Sequence, residues 1–259
     1  MQNIEQLKEL LEQKYRQFNT WDFIKDDPIQ IPHKFKKKED IEIAAFLSAM
    51  IAWGNRKMII RNALKMMKIM NFEPYNFLMN TSFAQLEHIP EVKHRTFNRD
   101  DFIFFLKALK NIYENYDGLE AVFYHGYKKN KSIKEAIIHF RKVFFSLNEW
   151  LPRTQKHIPD PQKGSAAKRL NMFLMWMVRK DYSNVHFGIW KYFDKKNLML
   201  PLDIHTGNAA RYLGLLKRKQ NDWKAVVEIT ETLKKFDPND PVKYDFALFG
   251  IDIELKKSS

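Results

Sequence analysis

Apolar residues recur at intervals of three and four along almost the whole chain. Ile4, Leu7, Leu11, Tyr15 and Phe18 form one such series, and the same spacing returns over 102–116, 133–147 and 226–233. A period near 3.6 places such side chains on one face of an α-helix, and no convincing strand alternation interrupts it. The spacing therefore predicts an all-α protein with about ten helices.

The segment from Asp40 to Trp53 is apolar on nearly every side. A helix of that kind is buried all round rather than amphipathic. Gly54 and Asn55 follow it and are typical of a helix end, and a second helix is expected to begin near Arg56. This pair of helices is the predicted centre of the core.

A turn of small residues at 164–167 leads into another apolar-periodic segment. The apolar face of the predicted helix excludes Lys168, which points to the opposite side. The first N–H groups of a helix and its dipole suit a phosphate, and Lys163 and Arg169 add positive charge beside them. The turn is thus a candidate phosphate contact.

Asp203 stands just before a further predicted helix, in the run from Leu200 to Thr206. An Asp at this position is most often an N-cap that accepts a backbone hydrogen bond. Capping and catalysis are compatible, because a carboxylate has two oxygens. In the same way Asp240 and Pro241 predict the start of a terminal helix that runs through Phe249.

Cysteine is absent, and 44 Lys and Arg residues stand against 31 Asp and Glu, a formal net charge of +13. A disulfide framework, a thiolate zinc site, a cysteine-ligated iron–sulfur cluster and a cysteine nucleophile are therefore excluded. A reducing compartment is the default, so we expect a cytoplasmic protein. The positive charge favours a polyanionic partner, although a solvated surface is the alternative explanation.

The longest apolar stretch, Ile43 to Trp53, has ten apolar residues of eleven. A bilayer span needs about 20. The N-terminus has neither a basic region nor an apolar region of the kind found in signal peptides. We therefore predict no membrane partner and no secretory signal.

Three segments, in this order along the chain, resemble motifs of the helix-hairpin-helix DNA glycosylase superfamily, which includes endonuclease III and 8-oxoguanine glycosylases. Leu47-Ser48-Ala49 resembles its Leu-Ser-Ala-Gln helix, and 164–174 resembles its Gly-Val-Gly-x-Lys-Thr-Ala hairpin. The run 202–205, Leu-Asp-Ile-His, resembles its Val-Asp-Thr-His motif. Over nearly its whole length the chain also resembles an uncharacterised bacterial family in or near this superfamily.

The resemblance implies a base-excision enzyme that acts on double-stranded DNA with a damaged base, using neither a metal nor a cofactor. Lys168 would be the Schiff-base lysine of members with AP-lyase activity, and Asp203 the essential aspartate. The remaining implied site residues contact nucleic acid or, with less support, line a base pocket. The nucleic-acid contacts are Lys163, Gly164, Ser165, Arg169, His205 and Arg211, and the base pocket consists of Ser48, Met50, Trp53 and Asn55.

The resemblance also implies two helical lobes. One lobe covers 39–180 and carries the helix-hairpin-helix element, and the other joins 1–38 to 181–259. Lys168 is then expected at the edge of the first lobe and Asp203 at the entry of the second, with the active site in the cleft between them.

The sequence departs from the superfamily pattern in three places. Ala166 replaces the second hairpin glycine, and Met50 stands where the polar glutamine is expected. Lys168 and Asp203 are 35 residues apart (203 − 168), a longer separation than in endonuclease III. Alanine at 166 weakens the close backbone approach to a DNA phosphate that glycine permits. Met50 removes a polar contact expected near the flipped base.

Lys and Asp are the residue types that N-glycosidic cleavage requires. Positive charge develops on the sugar as the base leaves, and a carboxylate stabilises it. A neutral amine can attack C1′ and form an imine that permits strand scission. Burial and a neighbouring cation such as Arg169 would favour the neutral amine.

Two alternatives stay open at this point. The first is a non-catalytic DNA- or RNA-binding protein that keeps the fold without the chemistry, which the changes at Ala166 and Met50 favour. The second is a metal-dependent hydrolase that uses Asp203 and His205 with His186 or His157. Asp-x-His is a common accidental spacing, and His205 at a helix start is more simply a hydrogen-bonding residue.

Overall fold

A computed structural model of the chain describes residues 4–257. Within this range the protein is all-α, as predicted, with short 3-10 turns and no β-strand. No described helix is long and apolar enough to cross a membrane. The twelve helices of the described range are α1 (Ile4–Phe18), α2 (Lys38–Met50), α3 (Arg56–Ile69), α4 (Pro74–Asn80), α5 (Phe83–Leu86), α6 (Arg99–Asn115), α7 (Gly118–Tyr127), α8 (Ile133–Phe144), α9 (Lys168–Val178), α10 (Ile204–Tyr212), α11 (Trp223–Lys234) and α12 (Asp245–Lys257).

The chain forms two compact units. The central unit spans 24–160, and the terminal unit joins the described parts of 1–23 and 161–259. The resemblance implied boundaries at 39 and 180 instead. Residues 24–38 belong to the central unit because Ile29 and Ile31 are fully buried and their 3-10 turns contact α2. No local spacing in the sequence marks that contact.

The core of the central unit is built around α2. From Ile43 to Met50 every side chain is 1% exposed or less, which confirms the prediction of a helix buried all round. Phe46 lies within 6 Å, between ring centroids, of Phe105 on α6 and of Phe140 and Phe144 on α8. Such aromatic contacts add to the free energy of burying these large side chains.

Asp101 is a fully buried carboxylate in the first turn of α6. Burial alone would raise its pKa, but His157, Thr154 and the backbone N–H of Asn98 stabilise the charged form and lower the pKa to about 2. The guanidinium of Arg153 donates to the same carboxylate over 2.8 Å. The charge is therefore well compensated in the folded protein.

We predict a specific acid sensitivity from this pKa. Because the folded-state value is depressed, Asp101 stabilises the fold above its unfolded pKa, and this contribution of about 2 kcal/mol disappears as the pH falls from 5 towards 2. Urea titration measures the free energy of unfolding across this pH range. In the variant Asp101→Asn, the fall in this free energy between pH 5 and 2 should be smaller than in the wild type by about 2 kcal/mol. The exposed neighbour provides the control: Asp100→Asn should keep the wild-type profile, and identical profiles for all three proteins would refute the assignment.

Arg179 is the polar centre of the terminal unit. Its guanidinium is fully buried and contacts Asp240 at 3.0 Å, Asp181 at 2.7 Å, and the hydroxyl of Tyr15 at 2.8 Å. It also lies 3.1 Å from Nδ1 of His186. Although burial favours loss of the proton, the carboxylates of Asp240 and Asp181 raise the pKa of Arg179. This network joins α1, the end of α9 and the segment before α12.

The network corrects one sequence expectation. Asp240 does not cap a helix with its side chain. Its carboxylate accepts from Arg179, and a 3-10 turn at Pro241–Tyr244 precedes α12. The carboxylate pairs with Arg179 in place of a local cap, because a buried guanidinium is strongly destabilising unless carboxylates compensate its charge.

Replacing Arg179 should destabilise the protein strongly. Arg179→Met leaves the carboxylates of Asp181 and Asp240 buried without their main counter-charge, at a cost of about 3 to 5 kcal/mol in the free energy of unfolding. Denaturant unfolding monitored by circular dichroism measures the loss. Arg16→Met removes an exposed arginine of α1 as a control, and an equal effect of the two substitutions would contradict this role of Arg179.

Candidate active site

Residues 164–167 form a hairpin that directs the chain into α9. Gly164 has a φ of +89°, a conformation that glycine adopts without strain. The Oγ of Ser165 accepts from the N–H of Ala167 at 3.2 Å, and the side-chain amide of Asn171 donates to the carbonyl of Ala166 at 3.1 Å. Ala166 has an ordinary φ, whereas Ala167 has a φ of 48°. Alanine at 166 therefore causes no backbone strain, whereas Ala167 adopts a left-handed conformation that favours glycine.

The N-terminus of α9 is positively charged and lacks a side-chain cap. Ala167 occupies the cap position and offers no hydrogen bond to the first N–H groups. Lys168 and Arg169 are the first two residues of the helix, and the exposed Lys163 precedes the hairpin. Burial lowers the pKa of Arg169 to about 10, so it remains charged at neutral pH. The dipole of α9 and the charges of these side chains together make the start of the helix positive.

The two carboxylate oxygens of Asp203 have different partners. One caps α10, and the other faces Lys168. Oδ1 accepts from the N–H of Thr206 at 3.0 Å, which makes Asp203 the N-cap of α10. Oδ2 lies 3.8 Å from Nζ of Lys168, and this Nζ lies 3.5 Å from Sδ of Met172. The side chains of Lys168 and Asp203 are 28% and 35% exposed, so both are accessible to a ligand.

The segment 221–223 holds the two helix starts together. The N–H of Trp223 donates to the carbonyl of Gly164 at 2.9 Å, and Ser165 forms an antiparallel bridge with Asp222. On the other side, the amide of Asn221 donates to the carbonyl of Asp203 at 2.9 Å. Three consecutive residues therefore bind both the hairpin of Lys168 and the cap residue of α10.

Arg211 and Gly207 support this segment. The guanidinium of Arg211 donates to Oδ1 of Asn221 at 2.6 Å and to the carbonyl of Arg218 at 2.9 Å. A Cβ on Gly207 would lie 2.8 Å from Asn221 Oδ1, so a larger residue would displace the amide. Arg211, predicted to contact nucleic acid, thus has a structural role in the terminal unit.

The structure places Lys168 and Asp203 in the same unit. The resemblance implied that they lie in different lobes with a cleft between them. The difference has a physical cause: the hydrogen bond of Gly164 to Trp223 and the buried ion pairs of Arg179 tie both ends of α9 to the terminal unit. The pair therefore forms between two residues of the terminal unit.

His205 contacts α12. Its Nδ1 lies 3.2 Å from the carboxylate of Asp252 and 2.7 Å from Nζ of Lys256, while the ring is 55% exposed. Across residues 4–257, no group of three or more His, Cys, Asp or Glu side chains could hold a metal ion. His186 is engaged with Arg179, and His157 belongs to the central unit. The residues of the metal hypothesis thus do not form one cluster.

The four base-pocket candidates all belong to the central unit. Ser48 and Met50 are 0% exposed, so neither reaches a base without repacking of the core, and this corrects their assignment to a pocket. Trp53 stacks on His157 with centroids 5.8 Å apart. The side chain of Asn55 accepts from the N–H of Met58 at 3.2 Å and caps α3. The buried helix α2 explains Ser48 and Met50 and the cap explains Asn55, whereas Trp53 is half-buried and follows the helix.

Comparison with protein families identifies the chain. A family model described as "Protein of unknown function (DUF2400)" matches residues 27–254. The chain belongs to the DUF2400 family. Neither the search of curated proteins nor the search of solved structures gives a match. The DUF2400 match includes the hairpin, Asp203 and the segment 221–223.

Sequence reasoning missed Asn221, Asp222 and Trp223. A local signal was present, because Asp222 accepts from the N–H of Ala225 at 3.0 Å and caps α11. An Asp before an apolar-periodic segment predicts that cap. The pairing of this cap region with the hairpin has no signature in sequence spacing.

Asn221→Ala tests the support of the candidate site. The substitution leaves the carbonyl of Asp203 and one guanidinium N–H of Arg211 without their partner, which should lower the free energy of unfolding by about 1 to 2 kcal/mol. Urea titration measures this change. The neighbouring exposed residue is a matched control, since Gln220→Ala should change stability by less than about 0.5 kcal/mol. Equal values for both variants would contradict the bridging role.

Proposed function

We propose that this DUF2400 protein is a DNA glycosylase that removes a damaged base from double-stranded DNA and has AP-lyase activity. The observation that carries the proposal is the 3.8 Å approach of the Lys168 amine to the Asp203 carboxylate at two helix N-termini. The order of motifs that resembles the helix-hairpin-helix superfamily supports the same conclusion. In this proposal 161–178 is the helix-hairpin-helix element, with its first helix reduced to the 3-10 turn at Pro161–Lys163.

The charge around the pair suits a DNA backbone. The uncapped N–H groups of α9 can donate to a phosphate, and the dipole of the helix favours negative charge there. Lys163 and Arg169 flank these groups. A phosphate held at the hairpin would place the adjoining sugar beside Lys168 and Asp203.

Base release requires stabilisation of the developing positive charge on the sugar. The N-glycosidic bond breaks, the base leaves with the electron pair and takes up a proton, and the deoxyribose becomes oxocarbenium-like. The Asp203 oxygen that faces Lys168 can stabilise this charge, while the other oxygen remains bonded to Thr206. The cap fixes the carboxylate in place, so little reorganisation is needed during the reaction.

Lys168 supplies the nucleophile for strand cleavage. Its neutral amine attacks C1′ of the oxocarbenium-like sugar and loses a proton to water. The C1′–O4′ bond then breaks, O4′ takes up a proton to become a hydroxyl, and the nitrogen forms an imine with C1′. Removal of a proton from C2′ then allows the C3′–O bond to break with the phosphate as leaving group. The amine is freed when water hydrolyses the imine, so no external oxidant or reductant takes part.

The base must leave the duplex before this chemistry begins. Unstacking costs a few kcal/mol and is least costly for a damaged or mispaired base. We therefore assign selectivity mainly to the ease of extrusion, since Ser48 and Met50 lie in the core and Asn55 caps a helix.

Asp203→Asn separates catalysis from structure. Asn is an equally good N-cap, so α10 should keep its start while the negative charge is lost. Base release from duplexes carrying a panel of oxidised, alkylated and deaminated bases should fall by about 10² to 10³-fold, because electrostatic stabilisation of the transition state is removed. Binding to the same duplexes should not decrease.

Lys168→Gln provides the second test. Strand cleavage at an abasic site should be abolished, while Lys163→Gln, which removes a charge outside the pair, should weaken binding and leave the cleavage rate of bound DNA unchanged. Wild-type protein that binds duplexes but releases no base from any member of the panel would refute the glycosylase proposal. It would support instead a nucleic-acid-binding protein without catalysis.

A further inference from the structure

The loop between α10 and α11, together with the first turns of α11 (213–228, called the loop below), carries a second cluster of positive charge beside the hairpin. We propose that Lys217, Lys219 and Lys224 contact the phosphate backbone of the bound DNA and extend the contact made at the hairpin. The inference rests on the DNA-binding part of the proposed function. It concerns a surface that none of the recognised motifs includes.

Backbone pairing joins this loop to the hairpin. Ser165 and Asp222 are bridged in antiparallel fashion, and Trp223 donates to Gly164. Lys163 precedes Gly164 and Lys224 follows Trp223, so each lysine is the sequence neighbour of a residue in this contact. Paired residues in such a bridge have Cα atoms about 5 Å apart. The backbone contact therefore brings the lysines of the loop close to the hairpin.

The two acidic residues of the loop, Asp222 and Glu228, bind other groups of the loop and so stabilise its conformation. Asp222 forms an ion pair with Arg218, with Nε and Oδ1 at 2.7 Å, and also caps α11. Glu228 accepts from the backbone N–H of Lys217 at 2.6 Å. Arg211 adds a hydrogen bond to the carbonyl of Arg218. These bonds fix the backbone of the loop and pair Arg218 with Asp222. Glu228 keeps its negative charge, yet the four basic and two acidic residues together leave a net charge of +2 (4 − 2).

Four exposed lysines on this surface make no ion pair with any residue of the described chain: Lys163, Lys217, Lys219 and Lys224. Like charges held close together repel, and a polyanion relieves the repulsion while releasing its own counterions. Lys128, Lys129 and Lys142 of the central unit are likewise exposed and make no ion pair with a described residue, so they serve as a matched control. The position of the four lysines around the contact between the hairpin and 222–223 therefore makes them candidates for binding a phosphate backbone.

The chemistry of the surface favours a phosphate backbone over a protein partner. The residues that line the shallow depression in the loop are all polar or charged: Lys217, Arg218, Lys219, Gln220, Lys224 and Glu228. A protein interface of ordinary strength has an apolar core, which this depression lacks. Lysines bind phosphates as point charges without a fixed direction, as sequence-independent contacts along a DNA strand require.

The test compares two triple variants that each remove three exposed lysine charges. Lys217→Gln, Lys219→Gln and Lys224→Gln are combined in the loop variant, and Lys128→Gln, Lys129→Gln and Lys142→Gln in the control variant of the central unit. Affinity for a fluorescein-labelled duplex with a tetrahydrofuran abasic analogue is measured by anisotropy over a series of salt concentrations. The same series is run with a single-stranded RNA and with a poly-glutamate peptide.

In the loop variant, the slope of log affinity against log salt should fall in magnitude by about 2 to 3, because each lost phosphate contact contributes roughly 0.9. Affinity near physiological salt should fall roughly tenfold, and the control variant should match the wild type. Equal losses in both variants, no loss in either, or a loss confined to RNA or poly-glutamate would overturn the proposal. If the slope changes as expected while the wild type releases no base, the surface assignment stands and the glycosylase assignment fails.

Discussion

The short antiparallel contact between 164–165 and 222–223 is the constraint on which the candidate site depends. It joins the hairpin before α9 to the cap region of α11, and the next residue towards the N-terminus, Asn221, binds the carbonyl of Asp203. Two helix N-termini are thereby held next to each other, although they are far apart in the chain. The approach of Lys168 to Asp203 follows from this arrangement and not from any contact that the two side chains make alone, since a partly exposed ion pair contributes little free energy.

In the proposed mechanism Asp203 has two roles, as the N-cap of α10 and as the carboxylate that stabilises charge on the sugar. Its Oδ1 is committed to the N–H of Thr206, and this bond sets the direction of the carboxylate. Oδ2 is left facing Lys168 in a region made positive by the start of α9. A carboxylate that is fixed before substrate binds stabilises positive charge without reorganisation. The buried network of Arg179 fixes the other end of α9, so the whole helix is held in the terminal unit.

Local patterns predicted the helices well, because amphipathic spacing and caps depend on neighbouring residues. The buried helix α2 and the turn before Lys168 are examples. Pairings between distant segments could not be predicted in the same way. Asp240 looked like a helix cap but binds Arg179, and Met50 looked like a pocket residue but lies in the core. The boundaries of the units differ for the same reason, since the partners of 24–38 and of α9 are set by tertiary contacts.

The central claim is that Lys168, positioned beside Asp203, reacts with the sugar of an abasic nucleotide. The most direct measurement is peptide mapping by mass spectrometry after the wild-type protein has been mixed with an abasic-site duplex and borohydride, which reduces an imine to a stable amine. The account predicts a deoxyribose adduct on Lys168 as the main product. An adduct spread over surface lysines, an adduct on a different single residue, or no adduct at all would contradict it.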